Sequence, residues 1–406
     1  MTTLTLRVDA LTPLLFRDAR PFTGADDETR AHSLDLPGPS TVMGLIRTVI
    51  GDTLGWTWDG AHAQAAKTIR CHGLWFTRGP DGSSPIVLPA PADAVPLPVD
   101  ASRAACRPKA LRPDPFTPDV PMPEVGLLPV AVSWDEKPLS GYRFWSWPDV
   151  RAWLMGQDIA HLTRVPPPPT DERVHVGLTS GTKTAALGKL FTTEFRAWED
   201  GDNVPREPGE PDRTHARWAL FVRVEVPGDL PGFDCGALTG LRTVGHFGGE
   251  RRPVTVTSLG AGGEAEPVLT PDLVTAVTSA NRVALRLVTP GLFSGGWKPG
   301  WIEGRTVANP PSHLAALNGA RLVAAVVNRP ETVAGWDYDN TKRRPKATRW
   351  AAPAGSTYFF ELPQPLVEPR LNALWLAPVS DGEHDRIDGY GLSLWGVWNY
   401  ASKEAE

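Results

Sequence analysis

The chain has 406 residues, a net charge of −5 at pH 7 and a hydrophobic fraction of 41%. This length exceeds one ordinary domain, so we expect two domains, each with a hydrophobic core. The acidic balance excludes a globally basic nucleic-acid binder and confines any such site to a local patch.

The cysteines and the hydropathy pattern bear on the cellular compartment. The three cysteines, Cys71, Cys106 and Cys235, are widely separated and odd in number. This argues against a disulfide framework and favours a reducing cytoplasm. The sequence shows no basic-then-apolar leader and no run of about 18 apolar residues, so we expect a cytoplasmic protein without membrane contact. Cysteine and histidine spacings typical of zinc sites are missing, and we predict neither a metal nor a cofactor.

The N-terminal region predicts a strand followed by a helix. Residues 3–10 alternate apolar and polar side chains, which indicates a half-buried strand. A helix is predicted from Ser40, with one apolar face at helical spacing made of Val42, Leu45, Ile46, Val49 and Ile50. The opposite face carries small or hydrogen-bonding residues and one arginine: Ser40, Thr41, Gly44, Arg47, Thr48 and Gly51. This face suits either a crossing nucleic-acid strand or helix packing through Gly44.

The next segments predict a hairpin, a proline-rich insertion and a short helix. Residues 73–77 and 86–88 are typical of two short strands around a turn. Residues 89–129 contain eleven prolines, which argues against regular sheet or helix and predicts an ordered or partly ordered insertion. Residues 149–156 predict a short helix that starts near Pro148.

The middle of the chain predicts a projecting hairpin. Residues 174–178 and 190–198 are strand-like, and the segment 179–188 between them is polar and glycine-punctuated. Lys183 and Lys189 lie in this region without an acidic neighbour, which is typical of an extended arm. The charged, proline-containing segment 200–212 is predicted to be the domain boundary.

The second half predicts another α+β unit. Strands are predicted over 218–226, 282–288, 321–327 and 358–362, and a helix over 271–278. With few helices in each half, the pattern favours sheets covered on one face. Two distant copies of one fold are compatible with this order.

Two local motifs predict contacts with phosphates. The loop 245–252 combines adjacent glycines with Arg251 and Arg252, and glycines allow close backbone approach while guanidinium groups bind oxyanions. The segment 342–346 is basic, and tryptophans and a tyrosine surround it, a mixture that suits phosphates and base stacking. A solvated turn and a flexible basic loop remain the respective alternatives.

Motifs of nucleophilic catalysis are not evident. The sequence contains no G-x-S-x-G and no Walker-type phosphate loop. Nine histidines occur, among them His32, His175 and His246, and one of them could act as a general base on a ribose hydroxyl. Nothing in the sequence pairs such a histidine with a second acid.

Several strings taken in order resemble the third Cmr subunit of type III-B CRISPR effector complexes, a member of the RAMP superfamily. The resemblance rests on eight segments spread over most of the chain: 16–22, 39–44, 174–178 with 188–191, 248–251, 289–293, 335–337, 354–362 and 389–396. Each string is short, and their ordered combination carries the specificity.

The resemblance implies an α+β fold of two ferredoxin-like (RRM-related) modules. The first, 1–212, would contain the proline-rich insertion 89–129 and a thumb β-hairpin at 174–191, and the second, 213–406, the glycine-rich loops. It also implies a non-catalytic subunit of a ribonucleoprotein in antiviral defence, which holds the 5′ tag of the crRNA. Implied partners are the large polymerase-like subunit, the neighbouring RAMP backbone subunit and target RNA near the thumb.

Most of the expected RNA contacts fall on the helix, the thumb and the glycine-rich loops. They are Arg17, Arg20, Ser40, Thr41, Gly44, Arg47, His175, Thr182, Lys183, Lys189, Gly248, Gly249, Arg251, Arg252, Lys298 and Lys346. Two other functions stay open. The first is a RAMP-type endoribonuclease that processes repeat RNA, with His32 or His175 as base. The second is a carbohydrate-binding β module, prompted by the 16 tryptophans.

Overall fold

The fold consists of two antiparallel sheets and a projecting hairpin. The computed structural model describes residues 1–20, 29–80, 82, 84–116, 121–131, 134, 136–199, 216–260, 266–337 and 344–401. Predicted features at 21–22, 117–120, 200–212 and 338–343 lie outside these residues.

The elements up to residue 258 form the first sheet, the hairpin and two small two-stranded sheets. In chain order these are β1 (Thr2–Ala10), β2 (Arg30–Ala31), α1 (Pro39–Thr53), α2 (Gly60–Ala66), β3 (Arg70–Gly79), β4 (Ile86–Pro89), β5 (Ala94–Pro98), β6 (Cys106–Ala110), β7 (Arg112–Pro113), β8 (Val130–Ala131), β9 (Phe144–Ser146), α3 (Trp147–Leu154), β10 (Thr170–Leu178), β11 (Ala185–Arg196), β12 (Arg217–Val226), α4 (Cys235–Thr239), β13 (Arg242–Phe247) and β14 (Arg252–Ser258).

The elements after residue 258 form the second sheet and two small two-stranded sheets. They are α5 (Pro271–Thr278), β15 (Arg282–Leu287), β16 (Ile302–Glu303), β17 (Thr306–Val307), β18 (Arg321–Val326), β19 (Glu331–Val333), β20 (Trp336–Asp337), β21 (Arg344–Pro345), β22 (Arg349–Ala351), β23 (Thr357–Glu361), α6 (Glu368–Leu374), α7 (Glu383–Asp388) and β24 (Ser393–Val397).

The first sheet has the strand order β13-β14-β1-β12-β3-β4-β9. The predicted strand over 3–10 is confirmed as β1, and its alternation places Leu4, Leu6 and Val8 in the core, opposite apolar residues of β12. Helix α1 packs over β13 because Gly245 leaves room for Leu45 and Val49. Helix α1 therefore covers this sheet with the apolar face that the sequence predicts.

The second sheet has the strand order β16-β17-β18-β23-β15-β24. Its inner part, β18-β23-β15-β24, repeats the inner order of the first sheet, β3-β12-β1-β14. Counted in chain order, the first strand of each set of four lies between the third and the fourth strand of that set. All neighbouring strands in both sets run antiparallel. The chain therefore uses one strand arrangement twice.

The predicted division at residue 212 does not follow the sheets. Strands β12 to β14 come after it, yet β12 pairs with β1 and β3, and β14 pairs with β1. The first sheet consequently extends to Ser258. The polar segment 200–212 does not mark the end of the first sheet, because strands that are distant in sequence can pair in one sheet.

The proline-rich insertion contains regular structure, contrary to expectation. Strands β5 and β6 pair from Ala94 opposite Ala110 to Pro98 opposite Cys106. Proline is tolerated here because this two-stranded sheet has only edge strands. Burial raises the pKa of the Cys106 thiol to about 12, so this cysteine is a core residue rather than a reactive one.

Buried ion pairs and tryptophans hold the two sheets together. Arg47 of α1 pairs with Asp388 of α7 at 2.7 Å, and Arg286 of β15 pairs with Asp93 at 2.7 Å. Some of the largest buried side chains are tryptophans: Trp75, Trp145, Trp218 and Trp395. Their burial assigns much of the tryptophan content to the core, which weakens the carbohydrate-binding interpretation.

The helices are short throughout the described ranges. The longest, α1, has 15 residues, and none of the described helices is both long and apolar enough to cross a bilayer. Among the described residues, we find no cluster of three or more histidine, cysteine or acidic side chains that could hold a metal ion.

Candidate nucleic-acid interface

Strands β10 and β11 form the predicted arm, which is longer than the segment 174–191. Their pairing runs from Thr170 opposite Arg196 to Leu178 opposite Ala185. One face exposes an apolar row, with Val174, Val176, Leu178 and Leu190 between 48% and 70% exposed. Exposed apolar patches of this kind mark interaction surfaces. We call this row the apolar ridge.

The other face of the arm is aromatic and cationic. The ring of His175 stacks on Phe191, with centroids 5.1 Å apart and planes 10° apart. At the base of the arm, the buried ring of Phe195 lies 4.9 Å from the guanidinium of Arg173 and 4.4 Å from that of Arg252. The Arg252 contact attaches the arm to the glycine-rich loop through a cation–π interaction.

The glycine-rich loop approaches its own chain rather than an open ligand site. The amide of Gly249 donates to the carbonyl of Leu15 at 2.8 Å. Gly248 has φ of +69°, and a Cβ at this position would overlap the same carbonyl oxygen. Glycine is therefore required in this loop because the backbone packs closely against the segment that follows β1, and not because a ligand approaches it.

Backbone strain positions Arg251. Glu250 and Arg251 both adopt the left-handed region, with φ of 57° and 50°, at a cost of about 1–3 kcal/mol each. A ring nitrogen of His246, Nδ1, lies 3.0 Å from the Arg251 carbonyl and holds the loop in place. The side chain of Arg251 is exposed. Strain concentrated at an exposed arginine is typical of a functional loop.

The segment before α1 adds a charged network at the base of the arm. Arg30 donates to Glu194 at 2.6 Å, and His32 Nδ1 lies 3.0 Å from the same carboxylate oxygen. Burial alone would raise the pKa of Glu194, but the hydrogen bond from Arg30 and the nearby positive charges lower it. Arg17 pairs with Ser33 in an isolated bridge, and its guanidinium donates to the Arg20 carbonyl at 3.1 Å. The backbone bridge thus places Arg17 next to the segment that carries His32.

Ion pairing within the chain determines which of these cationic side chains remain available to bind phosphates. Arg20 pairs with Asp18, Arg30 with Glu172 and Glu194, Arg173 with Asp171, and Arg252 with Glu250. Lys183, Lys189 and Arg251 are exposed and form no ion pair within the described part of the chain. We call these three residues the free cations. They are the strongest candidates for phosphate contacts.

The predicted residues on α1 lie apart from this group. Arg47 donates to Asp388 at 2.7 Å and to the Ile69 carbonyl at 3.0 Å, and its side chain is only 13% exposed. Its geometry is that of a structural ion pair and does not support the predicted phosphate contact. The hydroxyl of Ser40 lies 2.9 Å from that of Tyr390. Thr41 is exposed.

Lys298 and Lys346 belong to the second sheet. Lys298 pairs with Glu124 and donates to the Gly304 carbonyl at 3.1 Å, and its side chain is 16% exposed. Lys346 is exposed, and its amide donates to Gly335 at 2.8 Å. Within the ranges described above, no hydrogen bond or ion pair joins either lysine to the base of the arm. Lys342 and Arg343 lie outside those ranges.

Sequence reasoning missed the aromatic and acidic partners at the base of the arm. Arg173, Phe195 and Glu194 were not predicted, although the alternation along β10 and β11 carries the signal. Thr182 was predicted, and its hydroxyl lies 2.7 Å from that of Thr184 in the turn. This contact orders the tip that carries Lys183, whose φ is 58°.

Two glycine substitutions should have opposite effects on stability. A Cβ at Gly44 would have no atom within 4 Å in the described part of the chain, so the structure gives no support to the helix-packing alternative. Gly44→Ala should stabilise α1 by about 0.5–1 kcal/mol. Gly248→Ala should cost about 2 kcal/mol or more because of its positive φ and the overlap with Leu15. Thermal unfolding of both variants measures this, and equal melting temperatures would contradict the assigned role of Gly248.

Comparison with known families identifies the class. The chain matches a family model of CRISPR-associated proteins over residues 6–398, nearly its whole length. It belongs to this family, described as CRISPR-associated protein (Cas_Cmr3). The predicted resemblance to the third Cmr subunit of type III-B complexes is thereby confirmed. A search of curated proteins finds no significant match.

Solved structures give more distant similarity. A chain in the cryo-EM structure of the type III-B Cmr-beta complex bound to cognate target RNA and AMPPnP is 13% identical, with a TM-score of 0.43 and coverage of 87% of this chain and 86% of that chain. A chain in the crystal structure of a type III-A Csm3–Csm4 subcomplex is 8% identical, with a TM-score of 0.36 and coverage of 98% and 99%.

Proposed function

We propose that this chain is the non-catalytic, RNA-binding subunit that holds the 5′ tag of the crRNA in a type III-B ribonucleoprotein. The single observation that carries the proposal is the projecting arm. It exposes the apolar ridge and two lysines, Lys183 and Lys189. The contact between Arg252 and Phe195 attaches the arm to the strained loop that contains Arg251. The repeated strand order supports two ferredoxin-like (RRM-related) modules beneath it.

The free cations and the apolar ridge have complementary tasks. Lys183, Lys189 and Arg251 neutralise phosphates, which supplies affinity without sequence information. The apolar ridge packs against base faces near the guide–target duplex. Bases that are splayed from a single strand are then read at their edges and through the ribose 2′-hydroxyl. Because the net charge is −5, binding depends on this local patch.

The same arrangement leaves other surfaces for protein partners. We propose contacts with the large polymerase-like subunit and the neighbouring RAMP backbone subunit. The second sheet exposes a groove of about 580 Å³ beside Trp350, which is 61% exposed. Since this groove also receives Met122 and Leu127 from the insertion, the insertion helps to shape a surface suited to a protein neighbour.

Crosslinking in the assembled complex tests the proposal. A crRNA with photoreactive uridines in its 5′ tag should crosslink to residues 179–184 and 248–252 of this chain. A guide labelled only near its 3′ end serves as the matched control and should leave these peptides unlabelled. Crosslinks from the tag that reach only neighbouring subunits would refute the proposal.

One observation favours a second function, a metal-independent endoribonuclease. Glu194 orients His32 through a 3.0 Å contact, as a carboxylate orients a general base. His175 is less suited because its ring is stacked and its Nε2 is buried without a hydrogen-bond partner in the described part of the structure. Under the leading proposal, purified protein leaves repeat RNA intact with or without EDTA. Cleavage that persists in EDTA and disappears in His32→Ala would establish the enzyme instead.

A further inference from the structure

The outer edge of β18 is only partly covered, and its uncovered end lies beside the groove of about 580 Å³ in the second sheet. Strand β17 reaches the start of this edge, where Thr306 pairs with Arg321. The insertion adds one hydrogen bond, from the amide of Leu128 to the carbonyl of Val323 at 2.8 Å. Beyond Val323, the outer edge receives no backbone hydrogen bond from the described part of the chain.

Strand pairing shows which residues face this uncovered edge. The carbonyl of Ser356 accepts a hydrogen bond from the end of β15 at 2.9 Å. Because backbone groups alternate in direction along a strand, Thr357 presents its own groups to β18. Val326 pairs with Thr357 and therefore faces β23. Its two neighbours, Ala325 and Val327, direct their backbone groups away from the sheet, and both residues line the groove.

The backbone groups of Ala325 and Val327 need partners. These two residues bring two N–H groups and two carbonyls to the groove, and none of the four forms a hydrogen bond within the described ranges. Both residues are half-buried, and backbone groups removed from water are normally paired. A strand edge left open beside apolar side chains is a template for another chain. One added strand would pair all four groups.

The walls of the groove suit the side chains of such a strand. Trp350 is 61% exposed and forms one wall with Trp297, while Met122 and Leu127 contribute from the insertion. Side chains of an added strand would alternate between these apolar walls and solvent. The insertion already shows that this edge accepts a neighbouring chain, since Leu128 follows directly after Leu127 and bonds to β18.

The charges beside the walls favour a neutral segment over RNA. Lys298 follows one of the lining tryptophans, and its charge is neutralised by Glu124. Arg349 precedes the other, and it binds both carboxylate oxygens of Asp385 at 2.8 Å. These two cations are therefore not available for phosphates, in contrast to the free cations of the arm and its loop.

We infer that the groove binds an extended segment of a neighbouring protein subunit, which adds as a strand to the outer edge of β18. The segment is uncharged where it crosses the groove and carries apolar side chains at alternate positions. This inference rests on the proposed role of the groove as a protein contact and specifies how the partner is held. It does not depend on tag binding by the arm.

Hydrogen exchange at single amides tests the inference. The isolated full-length chain is compared with the assembled complex by fragmentation mass spectrometry. The amides of Ala325 and Val327 should exchange at least about tenfold more slowly in the complex, because a strand hydrogen bond must open before exchange occurs. The amides of Ala324 and Val326 face β23 within the sheet. They serve as the matched control and should exchange slowly in both samples.

A substitution at Val327 gives a second measurement. Val327→Pro removes an N–H that has no acceptor within the described residues, whereas Val327→Ala keeps it. Relative to Val327→Ala, the proline variant should bind the rest of the complex about fivefold more weakly, as expected for one lost hydrogen bond. Melting temperatures show whether both variants fold. If the proline variant does not fold, the exchange measurement on the unmodified chain decides.

The outcomes separate this inference from tag binding. Unchanged exchange at Ala325 and Val327 on assembly overturns the inference, even where the tag crosslinks to the arm. Slower exchange at these two amides without tag crosslinks supports the inference and rejects only the tag proposal. Slower exchange in the isolated chain as its concentration rises would assign the groove to a second copy of this chain and overturn the inference. A folded Val327→Pro variant that assembles as well as Val327→Ala would also overturn it.

Discussion

Reversing the free cations should release the guide from the assembled complex. We expect the triple variant Lys183→Glu, Lys189→Glu and Arg251→Glu to weaken guide retention at least about a hundredfold. These side chains are exposed and form no ion pair within the described residues. Each substitution by glutamate therefore replaces one attractive phosphate contact by a repulsive one. The measurement is release of a fluorescent guide from the purified complex during a salt titration.

The salt dependence gives an independent check. For single-stranded RNA, each lost phosphate contact reduces the slope of log K against log salt by about 0.7. Three lost contacts should therefore reduce the slope by about 2. Lys67→Glu, Arg103→Glu and Arg329→Glu together change the net charge equally at exposed positions elsewhere. If this control loses the guide as readily, net charge alone is responsible, and unchanged retention in the triple variant would reject the proposed contacts.

Removing Asp93 should have the largest effect on stability. We expect Asp93→Ala to lower the free energy of unfolding by about 3–5 kcal/mol, as for other buried ion pairs that lose one partner. The substitution leaves Arg286 charged and buried, and it also strips an acceptor from Thr357 and Trp153. Because Asp93 lies in the insertion, Trp153 in α3, and Arg286 and Thr357 in the second sheet, its loss should loosen the junction between these three parts.

Urea denaturation measures this change, with Asp158→Ala as its control. Asp158 lines a cavity of about 310 Å³ together with Asp93 but is exposed, so its loss should stay within about 0.5 kcal/mol. A change below about 1 kcal/mol for Asp93→Ala would show that the ion pair does not hold the junction, since surface pairs contribute only this much.

The sequence predicted the local elements and the family well. The alternation of Leu4, Leu6 and Val8 predicted β1, and the helical spacing from Val42 to Ile50 predicted α1, since both periods report directly on which side is buried. The eight short sequence segments predicted the family because they occur in order over most of residues 6–398, the region that the family model matches. The role of these elements in RNA binding stays a prediction.

The site residues could be predicted only in part. Lys183, Lys189 and Arg251 were named from local composition, and the structure leaves their charges available. Arg47 was named on the same grounds, yet it pairs with Asp388, 341 residues away. Local composition shows which residues carry charge but does not show which distant partner neutralises it.

The sequence by itself determined secondary structure, charge content and family, because these depend on neighbouring residues or on strings read in order. Only the tertiary structure decided where the first sheet ends, which glycines face their own backbone and which cations stay free. The physical reason is that strand pairing and ion pairing join residues far apart along the chain, as between Asp93 and Arg286, which are 193 residues apart.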